Sequence, residues 1–113
     1  MHLDDKTRLH HMMDAAQTAL EFAEGESRQS LEDDQKLLFA LVRAVEIIGE
    51  AASRISEELQ ADHPQIPWHA IRGMRNRLVH GYFDVDADQV WTTITDDLPE
   101  LILQLEELLQ TLN

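Results

Sequence analysis

Apolar residues recur along this chain at helical rather than strand spacing. Between about Asp4 and Ala23, Leu9, Met12, Met13, Ala16, Leu20 and Ala23 fall on one face of a helix, and the pattern stops near Gly25. A second helix is expected to open at Ser30, where Ser30-Leu31-Glu32-Asp33 resembles a capping box with Asp33 in the usual Glu or Gln place. Leu38, Leu41, Val45, Ile48, Ala52, Ile55 and Leu59 then alternate steps of three and four without a miss. That spacing predicts one long packed helix reaching about Ala61. Gly49 sits in its middle, where glycine costs roughly 1 kcal/mol against alanine. Close approach of another backbone, from within the fold or from a second subunit, is the expected compensation. His63-Pro64-Gln65-Ile66-Pro67 reads as a connector, and Pro67 suits the first turn of a third helix beginning near Trp68. This helix should end about Val79 or His80, because Gly81 can take the left-handed cap conformation. After an ordered loop from Gly81 to Val85, Asp86-Ala87-Asp88-Gln89 caps a fourth helix carrying Val90, Trp91, Ile94 and Leu98. Pro99 kinks or restarts it, and Leu101, Ile102, Leu105, Leu108, Leu109 and Leu112 complete the last segment. The expected fold is a single all-α domain over residues 1–113, an antiparallel bundle of four to five helices.

Composition agrees with helices. Aromatic residues make up 5% of the chain, and four glycines and three prolines leave few breaks, which disfavours a sandwich or barrel. The absence of cysteine excludes disulfides and thiolate metal sites. No apolar run approaches the roughly 18 residues of a membrane span, and Met1-His2-Leu3-Asp4-Asp5 has no signal-peptide character. A cytoplasmic protein with no membrane partner is expected.

Charge changes the picture more. A net charge of −13 repels phosphate over most of the surface, so any nucleic-acid site must be local. The acidic remainder would also suit a basic partner protein. One stretch departs from the rest. From Asp62 to Asp84 no Asp or Glu occurs, where composition alone would place about four. That gap holds Arg72, Arg75, Arg77, His63, His69 and His80. Arginine is a fixed cation whose fork matches phosphate oxygens, and histidine as a residue type moves protons near neutral pH.

On a regular helix Ala70, Ile71, Met74 and Leu78 would face the core, while His69, Arg72, Arg75, Asn76 and His80 would face away with Arg77 at the margin. Asn76 and His80 are four apart and can touch. Arg75 and His80 would be roughly 140° apart, so converging on one phosphate requires either that the helix end near His80 or that a second subunit bring its own copy. The chemistry these residues suit is RNA cleavage. RNA carries its own nucleophile in the 2′-hydroxyl, so the protein must supply a base, an acid and positive charge, but no metal. One motif supplies one such histidine, and a two-fold dimer would supply both proton-transfer groups.

Arg75-Asn76-x-x-x-His80-x-Tyr82 resembles the signature of the HEPN ribonucleases, and specifically the HepT toxins of HepT/MntA toxin–antitoxin systems. Glu46-Ile47-Ile48-Gly49-Glu50-Ala51-Ala52, Ile66-Pro67-Trp68, Gly73-Met74, Val90-Trp91 and Leu98-Pro99-Glu100-Leu101 are similar to the same family. The resemblance implies a homodimeric, metal-independent endoribonuclease toxin of a type VII HEPN/MNT system, with a composite cleft between protomers and tRNA favoured over mRNA. Arg75 and His80 take the catalytic roles, with Asn76, Arg72 and Arg77 in supporting or RNA-binding places. Tyr82 takes a different one: the cognate minimal nucleotidyltransferase antitoxin adds AMP to it and silences the toxin. The alternative is a non-catalytic helical partner that presents substrate or nucleotide to a nucleotidyltransferase. The intact Arg75/His80 pair favours the enzyme.

Other features have plainer explanations. Arg75 and His80 could form a solvated face, with His80 capping a helix dipole. Tyr82 could pack its ring on the bundle. Glu46 and Glu50 lack the Glu-x-x-His partners of a carboxylate-bridged di-metal site, and Arg43 and Arg54 flank them at salt-bridge spacing, so a structural ladder is expected. His10, His11 and Asp14 read as an exposed turn. No metal and no cofactor are expected, and without a P-loop or GxGxxG any nucleotide must bind through the cationic island.

Overall fold

A computed structural model describes residues 3–81 and 84–112 of the chain. In order, the helices are α1 (Leu3–Ala23), α2 (Ser30–Asp33), α3 (Gln35–Ser53), α4 (Glu57–Asp62), α5 (Trp68–Arg72), α6 (Met74–Leu78), α7 (Ala87–Thr92) and α8 (Leu98–Thr111). The architecture is all-α. α1 and α3 form the most extensive pair, α8 closes one side against α1, and α5 and α6 lie across α3. Leu9, Met12, Leu41, Val45, Ile48, Leu78, Ile94, Leu98 and Leu105 are completely buried at their centre. Each such aliphatic side chain contributes about 1.5–3 kcal/mol relative to exposure.

The expected long second helix is three helices. Asp34 adopts an extended conformation and caps α3, its carboxylate accepting from the Leu37 amide at 3.1 Å. The anticipated capping box at Ser30 is not formed: Gln29 precedes α2, and the Ser30 hydroxyl instead accepts from the Ser27 amide at 3.0 Å. The second break falls at Arg54–Ser56. Ser56 is extended and caps α4, its hydroxyl accepting from the Leu59 amide at 3.2 Å. Asp5, 2% exposed on the first turn of α1, meets this break from across the fold. Its carboxylate accepts the Ser56 amide at 2.9 Å and the Ser56 hydroxyl at 2.6 Å. Leu41, Val45, Ile48, Ala52, Ile55 and Leu59 are buried all the same, so the apolar spacing tracks the core across the break.

Gly49 finds its compensation within the fold. A Cβ there would stand 3.4 Å from the carbonyl oxygens of both Ile71 and Arg72, so α5 lies with its backbone directly on α3. At the C-terminal end, Asp86 caps α7 as expected, accepting from the Gln89 amide at 3.0 Å. Between α7 and α8, Thr93–Asp97 form a π-helical turn. Pro99 has no N–H to donate and its ring crowds the carbonyl four residues back, so the wider turn carries the chain past it into α8. Among the described residues, no helix is long and apolar enough to cross a membrane.

Candidate active site

The segment expected to be one helix from Trp68 to His80 is two short helices and an extended end. Gly73 separates α5 from α6. α6 ends at Leu78, because Val79 is extended (φ −129°, ψ 120°) and pairs with Val85 in an antiparallel bridge. The Asp86 amide donates to the Leu78 carbonyl and the His80 amide to the Asp84 carbonyl, both at 2.7 Å. His80 therefore sits in a hairpin, not on a helix. Gly81 follows with φ +110°, a conformation that L side chains rarely adopt, so it serves the hairpin rather than capping the helix. The 140° separation of Arg75 and His80 on a regular helix does not apply here. For the same reason Asn76 and His80 are not neighbours by helical spacing.

Ile71, Met74 and Leu78 are buried as expected, whereas Ala70 is exposed. Arg75, Asn76 and His80 are all exposed, and the His80 ring makes no hydrogen bond or ion pair among the described residues. Tyr82 lies outside the described residues.

Arg75 forms an ion pair with α3. Its Nε lies 3.6 Å from the Glu46 carboxylate, which Arg43 also holds by a hydrogen bond and ion pair. Arg43 reaches Glu50 as well, at 3.6 Å. The expected carboxylate ladder is thus present through Arg43 alone, because the Arg54 side chain pairs with neither glutamate among the described residues. The register follows from Gly49. α3 and the site helices run antiparallel: Gly49 meets Ile71 and Arg72, and one turn back Glu46 meets Arg75. Further along, Phe39, Val42, Val79 and Val85 line a shallow groove with Arg43, Glu46 and Arg75. Glu46 is the residue of this site whose part residue spacing alone did not reveal. Its sequence signal was its place one turn before the mid-helix glycine.

The two other arginines point elsewhere. Arg72 donates to the Gln60 side chain on α4 at 2.6 Å. Arg77 lines a separate cleft against α8 with Met74, Asp97, Glu100 and Gln104. Neither joins Arg75 in its groove. No group of three or more His, Asp or Glu side chains in metal-binding proximity occurs among the described residues.

The sequence matches the Ribonuclease HepT-like family over residues 12–108, which takes in the core helices and the whole Arg75–Tyr82 segment. A candidate RNase of Caldanaerobacter subterraneus subsp. tengcongensis is 38% identical over 102 residues, covering 90% of this chain and 91% of that protein. A candidate ribonuclease HepT of Thermococcus cleftensis is 44% identical over 75 residues, covering 66% of this chain and 68% of its own length. A candidate RNase of Methanocaldococcus jannaschii is 30% identical over 103 residues, covering 91% of this chain and 94% of that protein. No solved structure gives a significant match to the chain. The match over residues 12–108, the 38% identity to a full-length relative and the all-α fold place this chain in the HepT-like ribonuclease family.

Proposed function

We propose that this chain is a metal-independent endoribonuclease toxin, with Arg75 and His80 acting on RNA in a cleft shared by two copies. In this reaction the RNA 2′-oxygen attacks the adjacent phosphorus as a base takes its proton. The P–O5′ bond breaks as an acid protonates the leaving oxygen, giving a 2′,3′-cyclic phosphate and a free 5′-hydroxyl. Histidine suits either proton transfer, and Arg75 would stabilise the charge that builds on the phosphate oxygens. The two proton transfers call for a second group, and His80 of a second copy is the simplest source.

The observation that carries this reading is the exposed placement of Arg75 and His80 on either side of a helix-to-hairpin junction, within the span matched to a ribonuclease family. The dimer draws support from an uncovered face. Ala15, Thr18, Phe22, Ala40, Ala44 and Ile47 of α1 and α3 line an apolar groove that shares Arg43 with the groove at Arg75. A second copy seated there would lie next to the site. In the same reading, the partner is a minimal nucleotidyltransferase that joins AMP to the Tyr82 hydroxyl, and the preferred substrate is tRNA over mRNA.

The test is cleavage of a labelled RNA by purified wild type, Arg75→Ala and His80→Ala, with and without EDTA. Both variants should lose a hundredfold or more of the rate, with the fold and oligomeric state unchanged. EDTA should have no effect. Wild-type rates in either variant, or loss of activity in EDTA, would overturn the assignment.

A further inference from the structure

We infer that Glu46 is a positioning residue of the active site, holding Arg75 by its Nε edge so that the outer edge of the guanidinium faces the scissile phosphate. This rests on the ribonuclease reading above and names a residue which that reading leaves out.

Four charges meet on the α3 face: Arg43, Glu46, Glu50 and Arg75. They are not equivalent. The Glu46 side chain is 35% exposed, against 59% for Arg43, 61% for Glu50 and 46% for Arg75. Arg43–Glu46 lies within one helix, three residues apart, and would form in α3 with no help from the fold. Glu46–Arg75 exists only because α6 is docked across α3, where the neighbouring α5 backbone packs on Gly49 one turn away.

An arginine on a five-residue helix followed by extended chain has little local support for its side chain. Its fork is useful in catalysis only when it is oriented before substrate arrives. Arg75 meets the carboxylate through Nε, and its terminal nitrogens make no hydrogen bond among the described residues. Those are the two parallel donors that match a phosphate. Arg43 in turn holds the opposite oxygen of Glu46 by a hydrogen bond, so the carboxylate is anchored on one side and faces the Arg75 Nε at ion-pair distance on the other. Exposed ion pairs of this kind add little to stability. A stabilising ladder would be complete with Arg43, Glu46 and Glu50 alone, and Arg75 has no place in it.

The test compares Glu46→Gln, Glu46→Asp, Glu50→Gln, Arg75→Ala and the double variant Glu46→Gln/Arg75→Ala. Each is assayed for kcat and KM on one labelled RNA, with thermal melting alongside. Glu46→Gln should lower kcat about ten- to hundredfold, the scale of a misplaced reacting group. Its KM should stay level or fall, because removing an anion beside the phosphate site cannot weaken RNA binding electrostatically. Melting should stay within about 3 °C of wild type. Glu46→Asp, which keeps the charge on a shorter stem, should recover part of the rate, and Glu50→Gln should keep it within about twofold. The double variant should be no slower than Arg75→Ala, since a group acting only through Arg75 has nothing left to position. Wild-type kcat in Glu46→Gln, a deficit confined to a raised KM, or a further loss on top of Arg75→Ala would overturn the inference. In each of those cases Arg75→Ala itself stays a hundredfold or more below wild type, with a residual rate still measurable. Wild-type rates in Arg75→Ala would instead overturn the ribonuclease assignment, and Glu46 with it.

Discussion

Replacing Asp5 with alanine should cost more stability than its place near the chain's start implies. The carboxylate is 2% exposed and accepts two hydrogen bonds, from the Ser56 amide at 2.9 Å and the Ser56 hydroxyl at 2.6 Å. Hydrogen bonds to a charged group contribute about 1.5–3 kcal/mol each. Two would give about 3–6 kcal/mol, but Ser56 is only half-buried, so its freed donors regain some water. The burial cost of the carboxylate is also relieved in the variant. The net loss should be about 2–3 kcal/mol. For a chain of 113 residues this lowers Tm by roughly 8–12 °C, at about 4 °C per kcal/mol. Thermal melting followed by circular dichroism measures it, at one fixed protein concentration so that any self-association affects each variant alike. Asp5→Asn keeps an acceptor for one donor and should lose about half as much. Ser56→Ala in the Asp5→Ala background should add less than it does alone, since the two side chains share one interaction. An Asp5→Ala protein melting within about 2 °C of wild type would refute the claim that Asp5 holds the α3–α4 junction.

Other outcomes follow from the site's construction. Gly49→Ala should be near neutral, because its Cβ would only touch the Ile71 and Arg72 carbonyls at 3.4 Å while helix propensity improves by about 1 kcal/mol. Gly49→Leu should destabilise by about 1–3 kcal/mol and lower cleavage by pushing α5 and α6 off α3; a melt and a rate equal to wild type would refute the contact. Light scattering should report a dimer, and mixed dimers of Arg75→Ala with His80→Ala chains should regain partial cleavage, whereas a fully active monomer would end the shared-cleft proposal. Protein made together with the proposed nucleotidyltransferase partner should carry added mass in whole AMP units on Tyr82, and Tyr82→Phe should keep much of its activity but escape silencing. Peptide spectra with no adduct on Tyr82, together with normal neutralisation of Tyr82→Phe, would refute that control.

The helical class and most of the core could be read from residue order alone. Burial along a helix is periodic, and Leu41, Val45, Ile48, Ala52, Ile55 and Leu59 are buried at the steps of three and four that their spacing requires. The Asp86 cap was equally legible, since a capping carboxylate and the amide it serves lie three residues apart. So was the acid-free segment with its arginines and histidine, because a charge excess is visible without a fold. What residue order could not settle were the points where a local preference competes with a distant partner. The helix through Arg54–Ser56 has no glycine or proline to stop it, yet Ser56 turns extended to cap a new helix, and Asp5, far off in the chain, binds its amide and hydroxyl there. α6 stops at Leu78 because Val85 and Asp86 take its backbone into a hairpin, which moves His80 off the helix that spacing had assigned to it. Arg75 and Arg77 look alike in sequence, yet one meets Glu46 on α3 and the other faces acids beside α8. Two residues apart is about 200° around a helix, and which side holds the site depends on what each side packs against. Local spacing decides which residues share a face. Only the packed chain decides what that face meets, because a backbone amide takes its hydrogen-bond partner from whatever the tertiary fold brings within about 3 Å, and a guanidinium its ion-pair partner from within about 4 Å.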